Sequence, residues 1–166
     1  MSKNRLLLML LAVACLLLAG CGKYQPAKAK DVAVGTSQNL QGSSGEATVR
    51  ITKIVDPLPS SDLAAAQPGR KLTAVFYTIR NRGQKAFLVM PASDLELQTS
   101  QGPAPYTVII SGPCQGKLAE PQSVEPGQTI SGCAVFQPVR SSKLTAVEFS
   151  LGSGLGSGRR YWNISQ

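Results

Sequence analysis

Apolar and polar side chains alternate in short runs along residues 32–166, separated about every 8–12 residues by Gly, Pro, Ser and Asn. This two-residue period is typical of β-strands, in which successive side chains point to opposite faces of a sheet. Seven to nine short strands in a chain of this length predict an all-β fold, an antiparallel β-sandwich. The predicted strands cover residues 47–55, 72–80, 86–90, 94–98, 106–110, 128–137, 143–151 and 160–164.

The segment 72–80 is predicted to be a central strand, because both of its faces are mostly apolar. In a later strand, alternation directs Leu95 and Leu97 inward. It places Asp94 and Glu96 together on the solvent face of that strand. The predicted core consists of large apolar residues on inward faces: Val49, Ile51, Leu72, Phe76, Leu95, Leu97, Ile130, Phe136 and Phe149.

The N-terminal segment has a different pattern. Lys3 and Arg5 precede an almost uninterrupted run of Leu, Ala, Val and Met over residues 6–18. A charged start, an apolar centre and small residues at the cleavage site are typical of a secretory signal peptide. A transmembrane helix is the alternative, but it needs about 20 apolar residues, and this run is shorter. Residues 1–20 are therefore predicted to be a cleaved signal peptide.

The apolar run ends at Leu18-Ala19-Gly20-Cys21, which resembles the lipobox of bacterial lipoproteins at all four motif positions. In that family the cysteine thiol receives a diacylglycerol, the peptide is cut before the cysteine, and the new N-terminus is usually acylated with fatty chains such as palmitate. The resemblance implies that Cys21 is the lipidated first residue of the mature protein. Two or three acyl chains would anchor it firmly, since each buried CH₂ contributes ~0.8 kcal/mol.

The mature chain divides into a tether and one domain. Residues 21–31 are rich in Lys, Ala and Pro, show no apolar periodicity, and are predicted to be a flexible, lipidated tether. Residues 32–166 are the predicted β-sandwich domain, and their number suits a single domain.

The charge of the chain is distributed unevenly. The precursor has 17 Lys and Arg against nine Asp and Glu, a net charge of +8. Two basic residues lie in the signal peptide and three in the tether (Lys23, Lys28 and Lys30), which leaves 12 basic residues against nine acids from residue 31 onward, or +3. This mild charge does not indicate a nucleic-acid partner. The tether lysines either face anionic lipid headgroups or keep the tether solvated.

Cysteine use agrees with export. Cys15 belongs to the signal peptide and Cys21 to the lipobox, so Cys114 and Cys133 remain. Two cysteines in an oxidising compartment most simply form a disulfide, here one that pins a long loop to the sheet. A zinc site is the weaker alternative, because two thiolates in a chain without histidine are too few ligands.

Several segments resemble, in order, a bacterial family of lipid-anchored and secreted proteins with a telokin-like, immunoglobulin-like domain of unknown function, related to the mycobacterial immunoprotective extracellular proteins. The matching segments are VGT (34–36), ATVRITKIVDP, GRKLTAVFYTIRNRG, SDLELQTSQG, VEPGQTISGCAVFQP and KLTAVEFSLG, which together span about residues 32–152. The resemblance implies an immunoglobulin-like sandwich, with an opening strand at 34–36 and exposure outside the cytoplasm. It implies no established activity. The cysteine pair and the GSGLGSG segment depart from the family's pattern.

The sequence contains little catalytic chemistry. Histidine is absent, which removes the commonest general base and metal ligand. The glycine-rich segment 152–158 lacks the Lys-Ser/Thr of a phosphate-binding loop, and no GxSxG motif is present. Asp94 and Glu96 have the spacing of a solvated strand face. We therefore predict no catalytic residues, no metal and no cofactor.

Two groups of residues are candidates for binding. Arg159, Arg160 and Tyr161 are of types enriched in binding hot spots, although alternation implies that either Tyr161 or the adjacent Trp162 is in the core. The alternative site is a pocket near loop 111–122, lined by Tyr106, Lys117 and Glu120.

These observations predict a non-enzymatic lipoprotein of the cell envelope, displayed outside the cytoplasm and interacting with another envelope protein. Because Gly22 rather than Asp follows Cys21, the resemblance implies the outer membrane if the source has two membranes. A small-ligand or glycan-binding accessory lipoprotein is the alternative. An exposed flat apolar patch would favour the protein partner, and a pocket at loop 111–122 would favour the ligand.

Overall fold

A computed structural model describes residues 32–59, 65–109, 114, 121–152 and 158–164. In these ranges it contains twelve strands and one short helix, α1 (Pro91–Asp94). The strands are β1 (Val32–Ala33), β2 (Ser37–Gly42), β3 (Gly45–Val55), β4 (Thr73–Asn81), β5 (Phe87–Val89), β6 (Leu95–Thr99), β7 (Gly102–Ala104), β8 (Tyr106–Thr107), β9 (Gln122–Val124), β10 (Thr129–Phe136), β11 (Leu144–Ser150) and β12 (Arg159–Asn163). Seven of these have five or more residues, which agrees with the predicted number.

The strands form two five-stranded sheets that pack as a β-sandwich, as predicted. Sheet A has the order β1-β12-β11-β6-β7, and sheet B the order β2-β3-β4-β10-β8. Neighbouring strands are antiparallel except β1 and β12, which are parallel. The short strands β5 and β9 form a separate antiparallel pair.

The sandwich has two ends, which we name here. The hairpin end carries the β2–β3 turn (Gly42–Gly45), the end of β4 at Asn81 and the start of β12 at Arg159. The far end carries the end of β3 at Val55 and the start of β11 at Leu144.

The main core lies between the sheets and is built from alternate residues of each long strand. Trp162, Phe136 and Phe149 are its largest fully buried side chains. All the predicted core residues except Leu72 and Phe76 belong to it. The backbone of Gly132 opposes Tyr77 across the β4–β10 ladder, and a Cβ there would collide with the Tyr77 ring.

A smaller cluster covers part of the outer face of sheet B. It contains Leu58, Leu72, Ala74, Cys114, Cys133 and Val135, with Phe76 half-buried against it. The strand 72–80 is central, as predicted, because β4 lies between β3 and β10. The assignment of Leu72 and Phe76 to the main core was wrong, because alternation directs them to the opposite face of β4 from Val75 and Tyr77.

Several predicted local structures differ from the structure. The opening strand expected at 34–36 is a turn between β1 and β2, in which Thr36 N–H donates to Ala33 O. The strand expected at 106–110 is short, limited to Tyr106–Thr107 in the part of the chain described. Strands β2, β7 and β9 were not predicted, because their sequences are polar or contain proline and their pairing rests on the backbone.

Asp94 was expected on a solvent face but is only 2% exposed. It ends α1 rather than beginning a strand, and its carboxylate accepts a hydrogen bond from Met90 N–H at 2.7 Å. The proline at the start of α1 favours this single turn of helix. Glu96 is half-buried on the outer face of β6. The predicted pairing of Asp94 and Glu96 on one face was therefore wrong.

Candidate functional site

Strand β12 separates the three residues that were predicted to bind a partner. Trp162 points into the core, so alternation places Arg159 and Tyr161 on the outer face of sheet A. Arg160 lies on the other side of the strand and lines a cavity at the hairpin end. The structure therefore brings Arg159 and Tyr161 together and assigns Arg160 to a different surface.

A buried carboxylate lies beneath Arg159 and Tyr161. Glu148 of β11 is only 6% exposed and faces Tyr161 directly across the ladder. Its Oε1 pairs with Nη1 of Arg159 at 3.1 Å, and the Arg159 side chain is 48% exposed. A carboxylate removed from water requires such a partner, since the unpaired charge would be costly.

The tyrosine hydroxyl belongs to the same network. Burial raises the pKa of Tyr161 above its usual value, and the charge of Glu148 and a hydrogen bond to it raise it further; the Arg159 guanidinium acts in the opposite direction. Tyr161 is therefore held as a neutral phenol at physiological pH, able to donate a hydrogen bond.

A second carboxylate extends the site across sheet A. Glu96 of β6 lies opposite Glu148 in the β6–β11 ladder. Gln98 Nε2 donates to Glu96 Oε1 at 2.8 Å. Like charges directly opposite one another destabilise a sheet, and here Arg159 offsets the repulsion. The resulting surface of Arg159, Tyr161, Glu148, Glu96 and Gln98 is called the sheet A site below.

The sheet A site offers hydrogen-bond donors and acceptors beside an aromatic ring, which suits recognition. Within the described ranges, no group of three or more Cys, Asp or Glu side chains could hold a metal ion. The sequence analysis proposed Arg159 and Tyr161 by residue type and did not single out Glu148. The only available signal was a single acid in the otherwise largely apolar run 143–151.

The hairpin end contains a group of adjoining cavities. One of about 330 Å³ is lined by Asn39, Leu40, Gln41, Glu46, Ala47, Arg82 and Arg160. A neighbouring cavity of about 460 Å³ shares Gln41, Glu46 and Arg82 and continues over the β2–β3 turn to Lys85. A third, of about 300 Å³, lies beside Arg80 and again includes Arg82. Arg82 is therefore common to all three, and the walls are mainly polar and basic.

Asn81 shapes the walls of these cavities. Its Nδ2 donates to the carbonyl oxygens of Lys85 and Val124, each at 2.8 Å, and its Oδ1 accepts from Gly83 N–H at 2.8 Å. In addition, Arg82 N–H donates to Glu46 O at 2.9 Å. These bonds fix the turn 82–85 against β3 and β9, and with it the backbone from which Arg82 and Lys85 project.

The alternative pocket near loop 111–122 stays a prediction. Lys117, Glu120 and most of the loop lie outside the described residues. Tyr106 packs edge-on against Phe136, with ring centroids 5.9 Å apart, and the cavities found at described residues lie at the hairpin end instead. Large apolar side chains exposed in the described ranges are Leu88 and Val108.

The structure joins Cys114 to Cys133 in a disulfide, with their Cα atoms 5.3 Å apart. Both residues belong to the small cluster on the outer face of sheet B. The bridge thus ties Cys114 to strand β10 without crossing the main core. The predicted lipidation site, Cys21, lies outside the described residues. Of the described part of the chain, no helix is long and apolar enough to span a bilayer.

The fold is shared with several solved structures, although no family model and no curated protein matches the chain. The ycdA protein of Bacillus subtilis, a candidate lipoprotein, is 14% identical with a TM-score of 0.60 over 78% of this chain. This chain spans only 38% of the length of ycdA.

Two similar structures match over nearly their whole length. MPT63, a secreted protein of Mycobacterium tuberculosis, is 13% identical with a TM-score of 0.56, over 83% of this chain and 99% of MPT63. The yjhA protein of Bacillus subtilis is 9% identical with a TM-score of 0.55, over 81% of this chain and 99% of yjhA. At these identities the comparisons establish the β-sandwich fold. The structural similarity to a secreted mycobacterial protein agrees, at the level of the fold, with the family resemblance noted in the sequence.

Proposed function

We propose that this protein is a lipid-anchored envelope protein whose β-sandwich binds another envelope protein and catalyses no reaction. One observation carries the proposal. Only ten residues lie between the lipobox-like sequence Leu18-Ala19-Gly20-Cys21 and the first described strand, which begins at Val32. A lipid on Cys21 would hold the domain at the outer side of a membrane, which is the outer membrane if the source has two. The fold similarities to a secreted protein and a candidate lipoprotein support an extracytoplasmic location.

The sheet A site is the proposed binding surface. Arg159 and Tyr161 are partly exposed and are of the residue types that dominate the binding energy of protein interfaces. The Glu148–Arg159 pair holds the guanidinium in place, so little side-chain entropy is lost when a partner docks. A folded protein fits this surface better than a small ligand, because the site lies on a sheet face rather than in a cavity.

The anchor is tested by replacing Cys21 with Ser and measuring the protein in membrane and soluble fractions. We expect the variant to leave the membrane fraction, because no thiol remains to accept diacylglycerol. Cys15→Ser is the matched control, since Cys15 lies in the predicted signal peptide, and it should fractionate like the unchanged protein. If Cys21→Ser pellets with membranes as before, the lipid anchor is wrong.

The binding surface is tested by chemical cross-linking in intact cells followed by mass spectrometry. We expect Arg159→Ala to reduce the cross-linked partner at least tenfold, since hot-spot truncations cost ~2 kcal/mol or more. Arg50→Ala is the matched control, because Arg50 is exposed on the outer face of sheet B. Equal yields from both variants would place the interface elsewhere. Circular dichroism verifies that each variant is folded.

A further inference from the structure

The direction in which the chain enters the domain is set by the parallel pair β1 and β12. Val32 lies beside Trp162 and Ala33 beside Asn163. Strand β12 begins at the hairpin end with Arg159, so β1 runs away from that end. The amino-terminal side of Val32 therefore points toward the hairpin end.

The predicted tether is short enough to keep the hairpin end close to the proposed lipid on Cys21. Ten residues lie between Cys21 and Val32, and a flexible chain over these eleven residue-to-residue steps has an average end-to-end distance of about 17–20 Å. Val32 is paired with Trp162, and Gly158 at the hairpin end precedes Trp162 by four residues. Val32 therefore lies about 13 Å from the hairpin end along the strand direction. With a lipid on Cys21, a tether that leaves Val32 on this side would place the hairpin end within roughly 10 Å of the bilayer surface, comparable to the Debye length of about 8 Å at physiological salt.

The hairpin end presents basic groups that the fold does not use. Arg82 and Lys85 are exposed, and neither forms an ion pair with any residue in the described ranges. Arg160 is half-buried beside them, and its Nη1 donates to Arg159 O. The acids facing this region are Glu46, in the cavity wall, and Glu125, in the turn before β10.

At the far end, by contrast, several basic side chains form hydrogen bonds or ion pairs within the domain. Arg70 donates to Gln137 O at 2.7 Å, and Lys71 pairs with Asp56 at 2.8 Å. Strand β3 is eleven residues long, which places the far end about 33 Å from the hairpin end. Turning the far end toward the membrane would require the tether to reverse direction at Val32 and run back about 20 Å along the domain.

From these observations we propose that the hairpin end faces the membrane that holds the anchor, where Arg82, Lys85 and Arg160 bind the anionic headgroups of its phospholipids. The inference rests on the proposed lipid on Cys21. Guanidinium groups form bidentate hydrogen bonds with phosphate oxygens, and the cavities around Arg82 give a headgroup space to enter. The sheet A site then stands on the side of the domain, free to meet a partner in the plane of the membrane.

The test uses the lipidated protein inserted from outside into vesicles of phosphatidylcholine alone or with one third phosphatidylglycerol. An amine-reactive reagent labels exposed lysines, and peptide mass spectrometry compares Lys85 with Lys143. Lys143 is the matched reference, since it is exposed at the far end. On anionic vesicles we expect Lys85 to react at least fivefold more slowly relative to Lys143, the factor that corresponds to about 1 kcal/mol per basic residue.

The protection should disappear in about 1 M salt, where the Debye length falls to about 3 Å. Arg82→Glu should also reduce it, whereas Arg50→Glu on the outer face of sheet B should leave it unchanged. Equal relative rates on both kinds of vesicle would overturn the inference. So would protection of Lys85 by millimolar inorganic phosphate on neutral vesicles, because the ligand would then be a soluble anion.

Intact-mass measurement of the inserted protein separates this inference from the anchor it rests on. A chain without acyl groups on Cys21 refutes the anchor and the inference together. An acylated chain whose Lys85 is unprotected refutes only the orientation.

Discussion

Asn81 offers the sharpest test of how the hairpin end is built. It is only 1% exposed, and its side chain makes three hydrogen bonds, to Lys85 O, Val124 O and Gly83 N–H. Asn81→Ala removes all three without disturbing the backbone bonds of β4. Each lost bond costs about 1 kcal/mol, and a buried carbonyl left without a donor adds to this. We expect the free energy of unfolding to fall by about 3–4 kcal/mol.

This loss is a large share of the 5–15 kcal/mol that typically stabilises a domain, and it corresponds to a melting temperature lower by about 10 °C. Urea titration followed by the fluorescence of Trp162, the single tryptophan of the chain, would measure it. The midpoint should fall while the slope stays constant, because the same surface is exposed on unfolding.

Two further variants show whether the hydrogen bonds are responsible. Asn81→Asp keeps the shape, but its carboxylate cannot donate to the two carbonyls, so we expect at least as large a loss. Asn39→Ala removes an exposed asparagine whose Oδ1 accepts from Thr48 Oγ1, and it should cost less than about 0.5 kcal/mol. If Asn81→Ala costs no more than Asn39→Ala, the proposed role of Asn81 is refuted.

Three more outcomes are expected. Replacing Cys114 and Cys133 with Ala should lower the unfolding free energy by roughly 3 kcal/mol in the chain-entropy model, and non-reducing peptide mapping of the unchanged protein that found two free thiols would contradict the bridge. Trp162→Phe removes the hydrogen bond from Nε1–H to Thr36 O and leaves a cavity in the main core, so it should cost about 2–4 kcal/mol by circular dichroism; an unchanged midpoint would contradict both contributions. Burial, with the neighbouring Tyr106 and Asp94, raises the pKa of Tyr77, so the folded state holds this proton more firmly than the unfolded state. Stability should therefore stay constant up to about pH 10 and decrease above it, and urea titrations from pH 8 to 11 that showed no decrease would exclude this linkage.

The long strands could be predicted because their alternation follows directly from strand geometry. Val49 and Ile51 of β3, and Ile130 and Phe136 of β10, lie in the core where a period of two places them. The same rule separates Arg160 from Arg159 and Tyr161, although the residue types alone had grouped the three. Strand β2 has only one buried apolar residue, Leu40, so its pairing with β3 could not be inferred from side chains.

The binding surfaces depend on register, which alternation does not provide. Glu148 is buried because Tyr161 lies opposite and Arg159 reaches over it, and both come from the neighbouring strand β12. The sequence shows that these residues are polar or aromatic, but not that they meet. Likewise, Asp94 is buried through a local hydrogen bond to Met90 N–H that interrupts the strand pattern.

The outer strands of the two sheets have a consequence for the proposed display of this protein on a membrane. In the described ranges, sheet A ends in β1 and β7 and sheet B in β2 and β8, and three of these four strands have only two or three residues. Pro103 and Pro105 lie in and beside β7 and lack the amide hydrogen that a neighbouring chain would need. The longer β2 is held to the opposite sheet by Gln38 Nε2, which donates to Tyr161 O at 2.8 Å. Crowded copies would therefore find few unpaired backbone groups to join into fibrils, and the domain should resist aggregation at high surface density.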